Sequence, residues 1–157
     1  MKIVLIFFVV IIALMVIMML LGRMLPVKHT ASQSKLFISS CNEVWNVVTD
    51  VTHWKSWRSD LKDLSITNDS TFVADGVEYA ISNSVPGVSF TTTIITKDLP
   101  YGGMWHYVFE KEGEGCRLTV TEIGEVYNPM FRFMSKYIFG HDGSLRKFME
   151  VLSKHIQ

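Results

Sequence analysis

Residues 115–133, GCRLTVTEIGEVYNPMFRF, change periodicity within nineteen residues. From Cys116 onward the chain alternates: Cys116, Leu118, Val120 and Glu122 share one face, and Arg117, Thr119 and Thr121 the other, because successive strand side chains point to opposite sides. Asn128-Pro129 then supplies an N-cap and a proline at the first helical position, where the missing N–H costs nothing. Beyond it Met130, Met134, Tyr137, His141, Leu145, Phe148 and Leu152 recur at steps of three and four, one helical face over about six turns. Gly140 and Gly143 weaken the middle of that helix by about 1 kcal/mol each relative to alanine, so a bend or break is expected there.

Working back from this segment, alternation fills Leu61–Gly124, with turns at Asn68-Asp69, Asp75-Gly76, Pro86-Gly87, residues 100–103 and Gly113-Glu114-Gly115. Short strands with tight connections form an antiparallel meander rather than βαβ units. Trp105, Tyr107 and Phe109 fall on one face of their strand, with Met104, His106, Val108 and Glu110 opposite. Val88, Phe90, Thr92 and Ile94 make a second apolar row. One side of the sheet is therefore aromatic and the other wet. Ser34–Ser40 reads as the first strand. Ser40 and Glu43 have the spacing of a capping box, which starts a helix whose apolar face is Val44, Trp45, Val47 and Val48. A second short helix follows within Asp50–Arg58, with Thr52 as its expected N-cap.

The amino terminus is of a different kind. From Ile3 to Leu21 every residue is apolar, IVLIFFVVIIALMVIMMLL. Nineteen residues at about 1.5 Å each reach roughly 28 Å, close to the hydrocarbon thickness of a bilayer. Their fifteen Leu, Ile, Phe and Val side chains contribute roughly −5 to −9 kcal/mol towards insertion. A cleaved signal peptide needs a shorter core and a small-x-small site, whereas Gly22-Arg23-Met24-Leu25-Pro26 follows here. Residues 1–25 are accordingly expected to be a single-span anchor, 26–33 (PVKHTASQ) a polar linker, and 34–157 one globular domain. Arg23, Lys28 and Lys35 against Lys2 lean the domain towards the cytoplasm, by a margin of one or two charges.

Only Lys2 and Arg23 are charged in the first 25 residues, which leaves 13 basic against 15 acidic residues in the remainder. That balance disfavours nucleic acid as a partner. A disordered chain is excluded by 12% aromatics and four prolines, and two cysteines make no disulfide framework or CxxC zinc site. His53, His106 and His141 are not spaced as metal ligands from one element, His106 should face water, and neither a Ser-His-Asp order nor a phosphate loop is present. No metal, cofactor or catalytic residue is assigned.

Val44-Trp45, Thr49-Asp50 and the tryptophans of His53-Trp54-Lys55-Ser56-Trp57-Arg58 resemble the entry signature of the polyketide cyclase/dehydrase and lipid-transport group within the START-like (SRPBCC) superfamily. Residues 99–107 (LPYGGMWHY) and 117–133 resemble a membrane-anchored branch of it. The likeness covers about Ser34 to Ile156. It implies an α+β helix-grip fold: a seven-stranded curved antiparallel sheet around a long C-terminal helix, with an apolar cavity between them and, here, a transmembrane helix in front. Members bind sterols, lipids, quinones or polyketides, and a minority catalyse cyclisation or dehydration. Fold does not decide among these.

Within that frame the aromatic face of Trp54, Trp57, Phe72, Phe90, Trp105, Tyr107 and Phe109 either lines a ligand cavity or is ordinary core. Tyr79 and Leu118, with Met134, Tyr137 and His141 from the last helix, complete the candidate lining. Glu122 is in phase with Leu118 and Val120 and points inward, where an unpaired charge is costly. It serves either as a polar anchor or acid for ligand chemistry, or as half of a salt bridge with Arg58 or the final helix. In the implied sheet the first and last strands are neighbours, which makes a Cys41–Cys116 bond geometrically conceivable. A cytoplasmic domain would keep both thiols reduced, and reduced thiols are expected. The leading expectation is membrane-tethered binding or transport of a lipophilic small molecule, such as a lipid, quinone or polyketide-like compound. A cyclase/dehydrase-type enzyme and a non-catalytic interaction domain are the alternatives. Arg132, Lys136, Arg146, Lys147 and Lys154, with Phe131, Phe133 and Phe139, either contact anionic headgroups or form a solvated basic face.

Overall fold

The computed structural model describes residues 2–156. Helix α1 (Lys2–Met24) leads through three residues into strand β1 (Lys28–Phe37). Helix α2 (Cys41–Thr49), a 3₁₀ turn (Val51–His53) and the one-turn α3 (Trp54–Trp57) follow. The meander comprises β2 (Leu64–Asn68), β3 (Thr71–Ala74), β4 (Val77–Val85), β5 (Ser89–Ile94), β6 (Tyr101–Glu112) and β7 (Gly115–Val126). The chain closes with α4 (Pro129–Met134), a π turn (Ser135–Phe139) and α5 (Gly143–His155). All seven strands form one antiparallel sheet in the order β1-β7-β6-β5-β4-β3-β2. This is the expected α+β helix-grip arrangement.

Local chemistry places the boundaries. The capping box is present, with the Ser40 amide donating to Glu43 Oε2 at 2.8 Å and the Glu43 amide to Ser40 Oγ at 3.4 Å. Asn128 Oδ1 accepts from the Met130 amide at 2.9 Å and so opens α4 one residue before Pro129. Thr52 is not an N-cap: α3 begins after His53, and the Thr52 hydroxyl donates to Asp50 instead.

One boundary differs from the sequence reading. β1 starts at Lys28, so most of the stretch expected as a linker is strand. Its ten residues pair with Cys116–Glu125 of β7, with Lys28 opposite Glu125 and Phe37 opposite Cys116. The last helix breaks where its two glycines predict: α4 and α5 are separated by the π turn and by Gly140, whose φ of +76° ends helical geometry.

The core lies between the concave sheet face and the two helical covers. Phe148 of α5 meets Trp57, Trp105 and Tyr107 with ring centroids 5.7–6.0 Å apart. Trp45 of α2 packs edge-on against Phe90 and Phe109 at 5.7 and 5.1 Å. Val44, Val48, Leu118, Val120, Leu145 and Leu152 are fully buried among them.

Cys41, at the first residue of α2, and Cys116, in β7, are joined in a disulfide with Cα atoms 4.8 Å apart. This overturns the expectation of two reduced thiols: the β1–β7 pairing carries the end of β1, and with it the start of α2, back to the start of β7. The bond closes a loop of 75 residues, and limiting the unfolded chain over such a loop is worth about 4 kcal/mol in the chain-entropy account. Urea unfolding with and without reductant should show a loss of that order. A Cys41→Ser variant should match the reduced chain and be insensitive to reductant.

Candidate functional site

The sheet's concave face is not covered evenly. At the end of β6 and β7 where Phe109 lies opposite Leu118, α2 fills the space with Trp45. At the other end, where Trp105 lies opposite Glu122, the cover is α4 and the π turn, and a cavity of about 550 Å³ remains. Trp105 and Tyr107 of β6, Thr92 and Ile94 of β5 and Tyr79 of β4 form its floor. Phe72, Trp54 and Arg58 bound it on the β3–β4 side, and Glu122, His29 and His141 on the β1–β7 side. Phe131, Met134 and Phe139 stand over it.

Polar chemistry concentrates on the β1–β7 side. Trp105 Nε1 donates to Glu122 Oε2 at 3.0 Å, and His29 Nε2 lies 3.4 Å from Glu122 Oε1. The His29 ring stacks on His141 with centroids 4.1 Å apart, and His141 Nδ1 shares a proton with Ser135 Oγ at 3.0 Å. Gly124 makes room for this cluster, since a Cβ there would lie 2.4 Å from the His29 ring and 2.9 Å from Glu122 Oε1. The His29 ring is backed by His141 and has nowhere to retreat.

Burial raises the Glu122 carboxyl above its ordinary range, against smaller opposing effects from the Trp105 hydrogen bond and the His141 charge. Burial lowers His29, and burial together with the His29 charge lowers His141. All three groups are thus driven towards their neutral forms. The cluster can donate to and accept from a hydroxyl or carbonyl group entering from the cavity, and Glu122 and His29 are placed to exchange a proton. Arg58 is 8% exposed. It forms a bidentate pair with Asp60 through Nε (2.9 Å) and Nη2 (2.7 Å) and lies 5.1–5.8 Å from the ring centres of Trp54, Trp57 and Phe148.

Of the candidate residues, Trp54, Phe72, Tyr79, Trp105, Tyr107, Glu122, Met134 and His141 line the cavity. Five do not. Trp57 packs on Phe148 and His155, Phe90 stacks on Tyr107 at 4.2 Å, Phe109 lies against Trp45, and Leu118 is fully buried. Phe90, Phe109 and Leu118 belong to the solid end of the core, because a strand face is shared along its length whereas its cover changes; Trp57, on α3, is taken up by its packing against α5. Tyr137 is 60% exposed rather than inside; the wider π turn rotates it off the face extrapolated from Met134. Glu122 points inward, but its partners are Trp105 and His29; Arg58 pairs with Asp60 instead. His106 is on the opposite face, half-buried, with Nδ1 3.0 Å from Thr91 Oγ1. His29, Arg58 and Ser135 were absent from the candidate set. His29 carried no signal inside a stretch read as linker, whereas Arg58 sat within the quoted tryptophan motif. Among the described residues no cluster of His, Cys, Asp and Glu could hold a metal ion.

The fold is similar to solved structures, while no family model and no curated protein matches the sequence. A START superfamily protein from Mycobacterium smegmatis superposes with a TM-score of 0.66 at 17% identity, over 82% of this chain and 97% of that one. A conserved protein from Geobacillus kaustophilus gives 0.68 at 15% identity, over 82% and 95%. Norcoclaurine synthase from Thalictrum flavum, solved with dopamine and hydroxybenzaldehyde, gives 0.66 at 14% identity, over 83% and 87%.

The shifted groups make stability depend on pH with a defined sign. Unfolding releases His29 to its ordinary value of 6.5, so the unfolded chain takes up the proton first and the parent should lose stability relative to His29→Gln as pH falls below that value. Glu122 behaves oppositely. Its unfolded carboxyl ionises near 4.5, so Glu122→Gln should gain on the parent as pH rises above that value. Thermal unfolding of the detergent-solubilised chain across pH 4–8 would read both; parallel curves would mean that these side chains titrate as if in water.

Proposed function

From a START-like helix-grip fold with a half-covered aromatic face, we propose that the chain is a membrane-anchored binding protein for a lipophilic small molecule carrying one hydroxyl or carbonyl group. The observation that carries this reading is the cavity of about 550 Å³, within the range of drug-sized ligand sites, with aromatic walls, Glu122, His29 and His141 on one side, and Arg58, held by Asp60, on the other. An apolar body against Trp105, Tyr107, Tyr79 and Phe72 would leave water, and its polar group would meet Glu122 and the two imidazoles. A lipid, quinone or polyketide-like compound fits that description. An enzymatic reading has one supporting observation, the Glu122–His29 pair at the cavity wall, where burial shifts the carboxyl upward and the imidazole downward and a proton donor and acceptor stand side by side, as general acid–base chemistry needs.

Helix α1 is long and apolar enough to cross a membrane, and such a helix serves as an anchor or a signal sequence. The uninterrupted Ile3–Leu21 run and the lack of a small-x-small site after it support the anchor. The disulfide supports a domain on the oxidising side of the membrane, in place of the cytoplasmic side to which the Lys/Arg margin points, because cytosolic thiols are kept reduced.

Titration of the lipophilic dye N-phenyl-1-naphthylamine into the purified chain should give saturable binding. Trp105→Ala should change its affinity and His106→Ala, on the outer face, should not; equal responses would remove the cavity from the account. Glu122→Gln should retain dye binding, and loss of turnover without loss of binding would select the enzyme. Carbonate-washed membranes should retain the chain at unprocessed mass. Cells lysed directly into alkylating agent should yield a chain with no alkylated cysteine, whereas two alkylated cysteines would return the domain to the cytoplasm.

A further inference from the structure

The cavity does not account for the surface beside it. Tyr137, Ile138 and Phe139 on the π turn are 60, 60 and 63% exposed, and Phe131 on α4 is 47% exposed. Among the described residues outside α1, Tyr137, Ile138 and Phe139 are the only three consecutive large apolar side chains that are all exposed. Contiguous exposure of this kind marks a surface that is covered in use.

The place of the patch indicates what covers it. Gly22 is the one buried residue of α1, and a Cβ there would lie 1.8 Å from the Pro129 carbonyl oxygen, so α1 and α4 touch backbone to backbone. Arg132 Nη1 donates to the Leu25 carbonyl at 2.7 Å, satisfying a group at the end of α1 that has no helical partner. The apolar run of α1 stops at Leu21. Pro129 is therefore held at the level where the anchor leaves the hydrocarbon. Phe131 and Phe139 also line the cavity, together with Met134, Ser135 and His141. A small second cavity of about 90 Å³, bounded by Leu25, Val27, Arg132, Lys136 and His141, lies between the anchor's end and the histidine pair. Lys136, with its ammonium 5.4 Å from the Tyr137 ring centre, gives the patch the aromatic and basic composition of residues that settle at headgroup level.

We infer that the Phe131–Phe139 segment is seated in the interface of the bilayer that holds α1, so that the cavity opens into lipid rather than into water. This rests on the reading of an anchored domain with a ligand cavity. It adds the route: the molecule bound is one already dissolved in the membrane, and it passes between α4, the π turn and the start of β6, where the exposed Tyr101 and Met104 also line the cavity.

The test uses the full chain. Because Cys41 and Cys116 are bonded to each other, an Ile138→Cys or Val85→Cys substitution provides one free thiol, at the patch or at the distant β4–β5 hairpin. Each is coupled to an NBD fluorophore and reconstituted into vesicles of phosphatidylcholine with phosphatidylglycerol. The label at 138 should be blue-shifted, quenched by nitroxide-bearing lipid and protected from iodide, and the label at 85 should show the reverse. Equal exposure of both labels to iodide overturns the inference. So does protection of 138 from both quenchers, which would mean that a second copy of the chain covers the patch. A chain that does not float with the vesicles overturns the anchor and this inference with it, whereas a floating chain with a wet label at 138 overturns the inference alone. Dye binding reads the cavity separately in either case. Gly22→Val, which must displace α4 from α1, should diminish lipid quenching at 138 without affecting flotation. Unchanged quenching there would overturn the assignment of the seating to α1.

Discussion

One amphipathic helix cannot cover a seven-stranded sheet, and the rest of this structure follows from that shortfall. α5 buries Leu145, Phe148, Met149, Val151 and Leu152 over the middle of the concave face, and α2 closes one end with Trp45. At the other end the chain stops being an α-helix at Gly143, turns through Gly140, and resumes as α4 only where it meets α1. The aromatic row of the sheet continues beneath this break without a packed partner. An apolar surface left uncovered in a domain of this size costs stability. The fold tolerates the cost at one place, and the half-buried carboxylate and imidazoles are gathered at that same place.

Side-chain direction in the meander was legible from alternation. Glu122 shares the inward face with Leu118 and Val120, and Trp105 and Tyr107 face the interior as their strand's period requires. The extent of the cavity along that face was not legible, because it depends on what lies over each strand position. Phe109 and Trp105 have the same local pattern; one is covered by Trp45, and the other meets Phe148 along one edge and borders the cavity. The start of β1 was hidden for a related reason. KHTASQ is polar at nearly every position, and its strand state comes from hydrogen bonds to β7, about 90 residues away in the chain. Tyr137 was misplaced by extending a period of 3.6 residues through a segment that has a wider turn.

The cysteines show how two weak indications can conflict. The orientation read from Lys/Arg counts rested on one or two charges, and reduced thiols were expected from that orientation rather than from the chain itself. Pairing β1 with β7 brings Cys41 and Cys116 within bonding distance whatever the compartment. The bond therefore follows from the fold, and the marginal charge difference carries no information about it.

The direct passage from α1 into β1 has a mechanical meaning. Only three residues separate α1 from a strand whose ten residues are all paired to β7, and the Cys41–Cys116 bond lies just past the far end of that ladder. A load applied along α1 therefore enters the domain as shear along a whole row of hydrogen bonds, with a covalent stop behind it. A flexible connection would let α1 and the domain reorient independently. This one transmits torque, so the direction of α1 and the open end of the cavity move together.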